Sequence, residues 1–444
     1  MDKWNLDELL NTGEVSPAKP KSLVLNEPLS DAFFVQRYLT VHHCKCIGGS
    51  IWDEREGWRT DESIKQEIQR EIGSMVQKGL AKRAQELLTA LKTEAYCEPP
   101  EPDGNKVHFQ NGFFDIRDES FCNNQEFSYC VIPHDLDLKE CPTPKFTQYL
   151  NDLLEPEDIK TLQEFTGYCM IPSNRADVML YVVGPGEEGK TVFGTILTKM
   201  FGKSMATGSL HSLAKPFGVA ALENKLLFLD DDLSTKGFKE TATIKKVITC
   251  RDKIQYEHKG RDAYNGYCFC KLLALGNGVP TDLYDHTHGA ERRKVIITTK
   301  PKPEDRKKNS NLAQEIIDEE MSGVIQWALE GLKRLYKNNW KLTQSERTRR
   351  NLEKFKDDYA PAAFLKDTDT VRIGNINDQV TRTQLKSAFV SWCSRNGYEM
   401  KSTAIYSYLN DNGARLNIRE KPRVSTKVDP MRSRGYEGIA LIGQ

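Results

Sequence analysis

The chain has 444 residues and equal numbers of basic and acidic side chains, 63 of each, so its net charge gives no sign of a nucleic-acid or membrane partner. No apolar run approaches the roughly 18 residues that a membrane-spanning helix needs, and the acidic N-terminus lacks the apolar core of a signal peptide. The eleven cysteines form no regular framework, which favours reduced thiols. No membrane partner is expected.

The sequence predicts five segments in chain order. The first carries prolines and few aromatic residues, which is typical of a flexible arm. The second mixes short strands with one long charged helix, expected over about 63–93. The third alternates strand and helix signals, as a parallel α/β sheet does. The predicted bounds are 1–27 for the arm, 28–145 for a helical or mixed domain, 146–337 for the α/β core with flanking helices, 338–359 for a charged connector, and 360–444 for a small C-terminal domain.

The clearest motif reads Gly-Pro-Gly-Glu-Glu-Gly-Lys-Thr over residues 184–191. An apolar, β-branched run precedes it and predicts a buried strand, and a proline-free run that can open a helix follows it. Strand, glycine loop and helix together favour a phosphate-binding loop over an ordinary Gly-rich turn. Lys190 would reach the β- and γ-phosphates and Thr191 would hold Mg²⁺. The predicted ATP-binding residues are Gly184, Pro185, Gly186, Glu187, Glu188, Gly189, Lys190 and Thr191.

A second apolar strand, Leu226 to Leu229, ends in three consecutive aspartates about 40 residues after the loop. Acidic residues at the carboxyl end of such a strand suit Mg²⁺ and an attacking water. Asp230 is predicted to hold Mg²⁺ and Asp231 to orient or deprotonate the water, and both are assigned to the metal site together with Thr191. The triplet leaves this register open by one residue toward Asp232, and an acidic turn is the alternative.

Two later features complete the predicted catalytic set. A third apolar strand ends at Gly276-Asn277, where the Asn277 amide could sense the γ-phosphate or the water. Arg292 and Arg293 precede a fourth strand, and an arginine placed at a neighbour's γ-phosphate stabilises the transition state. A turn and a solvated basic pair are the alternatives. If the arginine acts across subunits, the enzyme must be an oligomer.

A basic stretch lies between the acidic strand and the asparagine strand. A channel lined by lysine follows a nucleic-acid backbone without reading its sequence. Lys259, supported by His258 and Lys253, is therefore predicted to contact DNA, and a solvated helix followed by a surface loop is the alternative. The members of the basic stretch are Lys245, Lys246, Arg251, Lys253, His258, Lys259 and Arg261.

The C-terminal segment predicts helices over 382–395 and about 403–412, followed by strands around 415–423 and 438–442. Residues 401–444 carry more Lys and Arg than acidic side chains. A helix–helix–hairpin unit with a basic excess suggests a winged helix on duplex or forked DNA. The alternative is a domain used for packing or for protein contacts.

The order of loop, acidic strand, asparagine strand and arginine pair resembles that of superfamily 3 helicases. Within them the chain is similar to the phage and plasmid primase-helicases related to the poxvirus primase-helicase. The resemblance covers most of the chain. Its further matches are Trp52, Gly57-Trp58, Phe109, 111–113, 144–146, Tyr149-Leu150, Gly167-Tyr168, Lys245-Lys246, Arg251-Asp252, Ile254, Glu257, Lys259 and 323–331.

The resemblance implies an AAA+-like P-loop core, ATP and Mg²⁺ as cofactors, and a homo-oligomer, expected to be a hexameric ring around one DNA strand. It also implies 3′ to 5′ translocation, a hairpin facing the central channel, and a role in replicating a phage, plasmid or island in the cytoplasm of a bacterial host. A separate primase or polymerase is a possible partner. Two departures stand out: Cys250 lies where the family often has glycine, and only about 30 residues precede the helical domain, so primer synthesis is not expected.

The sequence therefore predicts an ATP-dependent replicative DNA helicase acting on single-stranded and forked DNA. A DNA-dependent ATPase that loads or remodels without unwinding has the same ATPase residues and stays open. A nonenzymatic origin-binding module would use the ATP site to set its assembly state. A small-molecule kinase is disfavoured because it needs neither an arginine pair from a neighbour nor a winged tail.

Overall fold

The computed structural model describes residues 30–442 with internal gaps, so the predicted arm over 1–27 lies outside the described residues. The chain divides into two compact units, Met1–Glu98 and Pro99–Gln444. The predicted domain boundary at 145 lies inside the second unit. The residues left out within 30–442 are 55, 77, 125, 234–240, 261, 279–292, 303–308, 358–359, 399–401 and 425–432.

The first unit is a small antiparallel sheet combined with helices. Its strands β1, β2 and β3 pair in chain order. Isoleucines at four-residue spacing on the second helix and leucines on the third face one core, as amphipathic helices require. The described elements are α1 Asp31–His42, β1 Lys45–Ile47, β2 Ser50–Asp53, β3 Gly57–Arg59, α2 Asp61–Ile72 and α3 Leu80–Glu94.

The prediction of one long helix over 63–93 is wrong, because two helices, α2 and α3, occupy this stretch. Gly73 follows the last residue of α2, and Gly79 precedes α3 with φ at 73°, in the left-handed region that suits glycine. The charged composition on both sides of the break is similar, so the periodicity alone did not reveal the turn. Two short helices can fold back on each other, whereas one long helix could not.

The second unit contains the predicted parallel α/β sheet. Five parallel strands lie in the order β13-β7-β12-β9-β8. Strands β7, β12 and β13 are nearly continuous in apolar residues, as expected for strands covered on both faces. The elements up to the last of these strands are β4 Lys106–Phe109, β5 Gly112–Asp115, β6 Ser120–Cys122, α4 Pro144–Leu153, α5 Pro156–Tyr168, β7 Met179–Val183, α6 Lys190–Phe201, β8 Met205–Thr207, β9 Leu227–Leu233, α7 Thr241–Ile248, β10 Lys253–Tyr256, β11 Tyr264–Tyr267, β12 Lys271–Gly276 and β13 Lys294–Thr298.

Different helices pack on the two faces of the sheet. Helix α6 packs on one face, where Gly194 approaches the side chains of Leu229 and Leu275. The opposite face forms a core with α7 and includes Tyr181 and Phe228. Between α7 and β12 the chain forms the antiparallel hairpin β10–β11, with Lys253 paired to Tyr267 at its base. This arrangement leaves the carboxyl ends of the strands at one edge of the sheet.

Two long helices, α5 and α8 (Leu312–Lys337), pack very closely against each other. A Cβ at Gly331 would lie 2.2 Å from the carbonyl oxygen of Gln163, so only glycine permits this approach. The contact is also polar: the buried Glu164 carboxylate accepts hydrogen bonds from Arg334 Nε at 2.5 Å and from the Thr343 hydroxyl at 2.8 Å. A paired buried carboxylate avoids the cost of an isolated charge.

The C-terminal part has its own core of apolar residues. The sheet order β15-β17-β16 is antiparallel, and two helices lie between β15 and β16. Helix α11 has the predicted bounds, and a capping box at Thr381 and Gln384 explains its start. The elements are α9 Glu346–Asp357, α10 Ala360–Lys366, β14 Val371–Ile373, β15 Gln379–Thr381, α11 Arg382–Arg395, α12 Ala404–Asn412, β16 Arg419–Val424, β17 Ser433–Glu437 and β18 Ile439–Leu441.

The structure differs from the predicted strands at the C-terminus. The strands expected around 415–423 and 438–442 are found as β16 and β18, but they do not pair with each other, because β16 pairs with β17 and β18 pairs with β14. Strands β14, β15 and β17 were not predicted. Within the described ranges, none of the helices combines the length and the apolar character that crossing a membrane requires.

A lysine is buried in the centre of the second unit. Lys271 begins β12 with 2% of its surface exposed, and its ammonium donates a hydrogen bond to the carbonyl oxygen of Ile171. The Nζ atom also lies 4.9 Å from the ring centre of Tyr168. Among the described residues, no carboxylate pairs with this ammonium. Burial disfavours the charged form and lowers the pKa of Lys271 to about 8.

We expect the wild type to gain stability relative to Lys271→Met as pH rises from about 8 to 10.5, by up to about 3 kcal/mol. In this window the unfolded chain carries a protonated lysine and the folded chain a neutral one, so unfolding takes up a proton and becomes less favourable with rising pH. Urea unfolding at several pH values measures this difference. Lys199→Met, at an exposed position of α6, is the control. A constant difference across the window would contradict a neutral buried lysine.

Candidate functional site

The loop of residues 184–189 is attached to the edge of the sheet on both sides. The Gly184 N–H donates to the carbonyl oxygen of Gly276 at 3.1 Å, and the Thr299 N–H donates to Val183 at 2.9 Å. A Cβ at Gly184 would lie 1.9 Å from Thr299 Oγ1 and 2.5 Å from Glu188 Oε1. Glycine is therefore required where the loop leaves β7.

The loop turns back toward helix α6 through residues with positive φ. Gly186 has φ at 120° and Gly189 has φ at 109°, values that side chains rarely adopt. The Tyr149 hydroxyl from α4 donates to the carbonyl oxygen of Gly189 at 2.9 Å and holds the end of the loop. Helix α6 begins directly after it, at Lys190, so the free N–H groups of its first turn lie beside the loop.

The lysine of the motif is buried and paired within the loop. Lys190 Nζ donates to Glu188 Oε2 at 2.7 Å and to the carbonyl oxygen of Gly184 at 3.3 Å. Only 8% of Lys190 and 2% of Glu188 are exposed. The other Glu188 oxygen accepts from the Gly186 N–H at 2.6 Å. The Glu188 carboxylate thus occupies the donors that a phosphate group would use.

Two opposing effects act on Glu188. Burial alone would raise its pKa, but the hydrogen bonds from Lys190 and from loop N–H groups outweigh burial and lower the pKa. Glu188 is therefore ionised at neutral pH. Its neighbour Glu187 is exposed and instead pairs with Lys302 at 2.9 Å.

The three aspartates lie within β9 rather than after it, and their environments differ. Asp230 is 3% exposed and accepts a hydrogen bond from the Leu210 N–H at 2.8 Å, while burial raises its pKa. Asp231 and Asp232 are exposed. The pairing with β12 shifts after Asp230, so that both exposed residues face one residue of β12. Such a bulge changes the direction of side chains beside a site.

Asn277 lies next to the loop. It follows β12 and is exposed, and a Cβ at Gly186 would be 4.0 Å from Asn277 Oδ1. Thr191 is exposed in the first turn of α6. Thr299 Oγ1 is buried beside Gly184 without a hydrogen-bond partner in the described part of the chain. The structure thus brings the loop, Asn277 and the end of β9 to one edge of the sheet.

Arg293 lies at the opposite edge. It precedes β13, and its carbonyl oxygen accepts from the Met179 N–H at 2.8 Å at the start of β7. Arg293 is therefore level with Val178, and the six residues from there to Gly184 span about 20 Å in extended conformation. Arg293 therefore does not meet the loop of its own chain. Arg292 lies outside the described residues.

The residues predicted to contact DNA lie in and around the β10–β11 hairpin. Lys259 is exposed in the turn between the strands. His258 Nε2 is hydrogen bonded to the Glu223 carboxylate, to which the Tyr264 hydroxyl also donates. Lys253 is half-buried, with its Nζ atom 5.1 Å from the ring centre of Tyr267. Of the three, Lys259 alone lies exposed to solvent.

Several residues that shape these sites were not identified from the sequence. Glu223 contacts His258 over a long separation along the chain and leaves no spacing signal. Tyr149 was named only as a match to the helicase family, and its bond to Gly189 was not predicted. Thr299 could have been found, because it follows an apolar strand as Asn277 does. The internal pairing of Lys190 with Glu188 could not be expected from the motif, which describes a loop with its phosphate bound.

A polar cluster in the first unit offers a second set of possible metal ligands. The atoms of His42, Glu67 and Glu71 lie within 4.8 Å of one another. However, Arg59 pairs with Glu67 at 2.6 Å and Arg37 with Glu71 at 2.5 Å. The cluster is thus accounted for as an ion-pair network.

A protein family described as a family of unknown function (DUF5906) matches residues 182–293, which include the loop, the acidic strand and the hairpin. Among solved structures, an A-form apo structure of the C-terminal region of NrS-1 shares 15% identity with a TM-score of 0.47, over 92% of this chain and 99% of that chain. A second apo structure of this region shares 14% identity with a TM-score of 0.48, over 94% and 100%.

We expect Glu188→Gln to bind ATP about ten-fold more tightly than the wild type, because phosphate groups would no longer displace a carboxylate from Lys190. Calorimetric titration with ATP measures the affinity. Glu187→Gln removes an exposed charge from the same loop and should change the affinity little. Equal or weaker binding by Glu188→Gln would mean that the pair holds the loop in its binding shape instead.

Proposed function

We propose that the chain is an ATP-dependent DNA helicase of the superfamily 3 type, built on an AAA+-like P-loop core. The observation that carries the proposal is the meeting of loop 184–191, the end of β9 and Asn277 at one edge of a parallel sheet. After β7 the chain crosses to β8 at one edge of the sheet, whereas β13 pairs with β7 on its other side. The loop therefore lies at a topological switch point, where α/β sheets bind ligands.

The proposed ATP site has donors for each phosphate. N–H groups of the loop and of the first turn of α6 would hold the phosphates, and Lys190 would leave Glu188 to neutralise the β- and γ-groups. Thr191 and Asp231, or Asp230, offer the oxygen ligands that Mg²⁺ prefers. The bound metal would stabilise negative charge on the phosphates. Asp231 or Asp232 would orient the attacking water, and Asn277 would contact the water or the γ-phosphate.

An arginine from a neighbouring copy would complete the site. The position of Arg293 about 20 Å from its own loop supports a role in trans rather than in cis. Arg292 is an alternative finger. The proposal therefore includes a homo-oligomer, expected to be a hexamer, in which ATP is hydrolysed between subunits.

The surfaces that would contact DNA are the hairpin and the C-terminal domain. Lys259 is exposed in the hairpin turn, as a residue on a phosphate backbone must be. The C-terminal order of helix, helix and hairpin supports a winged-helix-like domain. Arg419 and Arg423 are exposed on β16 of that hairpin. We propose a role in replicating a phage, plasmid or mobile island, with any primase supplied by a separate protein.

The test is ATP-dependent unwinding of a forked DNA duplex. The wild type should separate the strands and Lys190→Ala should not, because it lacks the cation for the β- and γ-phosphates. Lys199→Ala, an exposed lysine of the same helix, is the matched control and should unwind normally. Strand separation by Lys190→Ala would contradict the proposed site. DNA-stimulated hydrolysis without unwinding would instead favour a loader or remodeller.

We also expect mixed oligomers of Lys190→Ala and Arg293→Ala subunits to regain part of the ATPase activity that each variant lacks alone. Interfaces that combine an intact loop with an intact arginine would form only in the mixture. ATP hydrolysis measured across mixing ratios tests this. Absence of recovery at every ratio, with the oligomer intact by light scattering, would count against a shared site.

A further inference from the structure

We infer that Cys250 and Cys268 form a reversible dithiol–disulfide pair across the neck of the β10–β11 hairpin. The neck comprises residues 250–252 before β10 and Cys268 after β11. The Cys268 N–H donates to the carbonyl oxygen of Asp252 at 3.3 Å, and Cys250 Sγ lies 3.1 Å from the same oxygen. Both cysteines therefore converge on one backbone atom from opposite sides of the ladder. This inference does not depend on the proposed function.

Both cysteines line a cleft. The cleft has a volume of about 420 Å³, and Cys250, Cys268, Arg175, Arg251 and Trp340 are among its lining residues. Cys250 is half-buried, and Cys268 is buried behind it. A small oxidant can thus reach Cys250 first, with Cys268 placed to react second.

The pKa shifts of the two thiols indicate the same order of reaction, Cys250 first and Cys268 second. A hydrogen bond from the Cys268 thiol, opposed by burial and aided by Lys246, lowers the pKa of the Cys250 thiol. The pKa of Cys268 is raised by that hydrogen bond and by burial. Cys141, which is partly exposed elsewhere, has a raised pKa. Thiolates and not thiols are the nucleophiles, so Cys250 is the reactive member of the pair.

The oxidant is a peroxide, and the reaction has two steps. The Cys250 thiolate attacks one oxygen of hydrogen peroxide; an S–O bond forms, the O–O bond breaks, and the departing hydroxide takes a proton to become water. Cys268 then loses its proton and attacks the Cys250 sulfur, forming the S–S bond and breaking the S–O bond, and a second water leaves. Two thiols are oxidised and one peroxide is reduced. A dithiol reverses the reaction by exchange.

The disulfide would add a covalent link to the hydrogen bonds that hold the neck. At present the Asn174 side chain joins the two sides, donating to Val247 at 3.0 Å and to Cys268 at 3.3 Å. A covalent link would fix the hairpin to the end of α7. The hairpin turn carries Lys259, so a disulfide at the neck would also restrain the surface that a nucleic acid would contact.

The experiment maps thiols in the folded, full-length protein treated with hydrogen peroxide, then alkylated and digested with trypsin. We expect a cross-linked peptide pair containing Cys250 and Cys268 that a dithiol separates. In the reduced protein, Cys250 should be alkylated about ten-fold or more faster than Cys141. Because Cys268 and Cys270 share one tryptic peptide, the cross-link must persist in Cys270→Ser and disappear in Cys268→Ser.

Cys141→Ser is the matched control, and its cross-link should equal that of the wild type. In Cys268→Ser, Cys250 should accumulate as sulfenic acid that a dimedone probe captures. Wild-type protein in which Cys250 is alkylated no faster than Cys141, or which forms no linkage between Cys250 and Cys268 with peroxide, overturns the inference even if a variant fails to fold.

Discussion

The common direction of the five central strands is the constraint on which the site depends. The register aligns Tyr181, Ala274 and Asp230 at one level of the sheet, so the chain beyond them emerges at a shared edge. Loop 184–189 and Asn277 meet there because each follows its own strand. Arg293 precedes its strand and is therefore placed at the far edge. A single rule thus separates the residues that share an edge with the loop from Arg293, which lies about 20 Å away from it.

Much of this sheet could be predicted, because the four apolar runs ending near 183, 229, 275 and 297 are local signals. Helix α11 was predicted with the bounds that the structure shows, 382–395. The break between α2 and α3 was missed because similar charged residues flank it. Strands β14 and β15 were missed because three residues are too few to show alternation, and β17 was missed because Tyr436 is its one apolar residue. The direction of the strands followed from their spacing by helices, which favours parallel crossovers.

The site was only partly predictable, and the reasons are physical. A motif names the residues that meet a ligand, but it says nothing of the contacts they make without one. The Lys190–Glu188 pair, the bulge after Asp230 and the bond from Glu223 to His258 all depend on packing between distant segments or on competition inside a loop. Such contacts set which side chains are free. Neither the spacing of residues nor the composition can predict them.

The pairing of Lys190 with Glu188 also affects which anions can bind in the loop. A loop with a free buried lysine would attract any small anion, since helix N-termini and lysine both favour negative charge. With the carboxylate in place the buried pair is electrically neutral, and an anion that takes up Lys190 must first separate two buried charges. Inorganic phosphate would make few contacts to offset that cost, whereas the proposed triphosphate ligand would offset it with contacts along the whole loop. The internal acid would thereby act as a threshold that keeps the site closed to the abundant small anions of a cell.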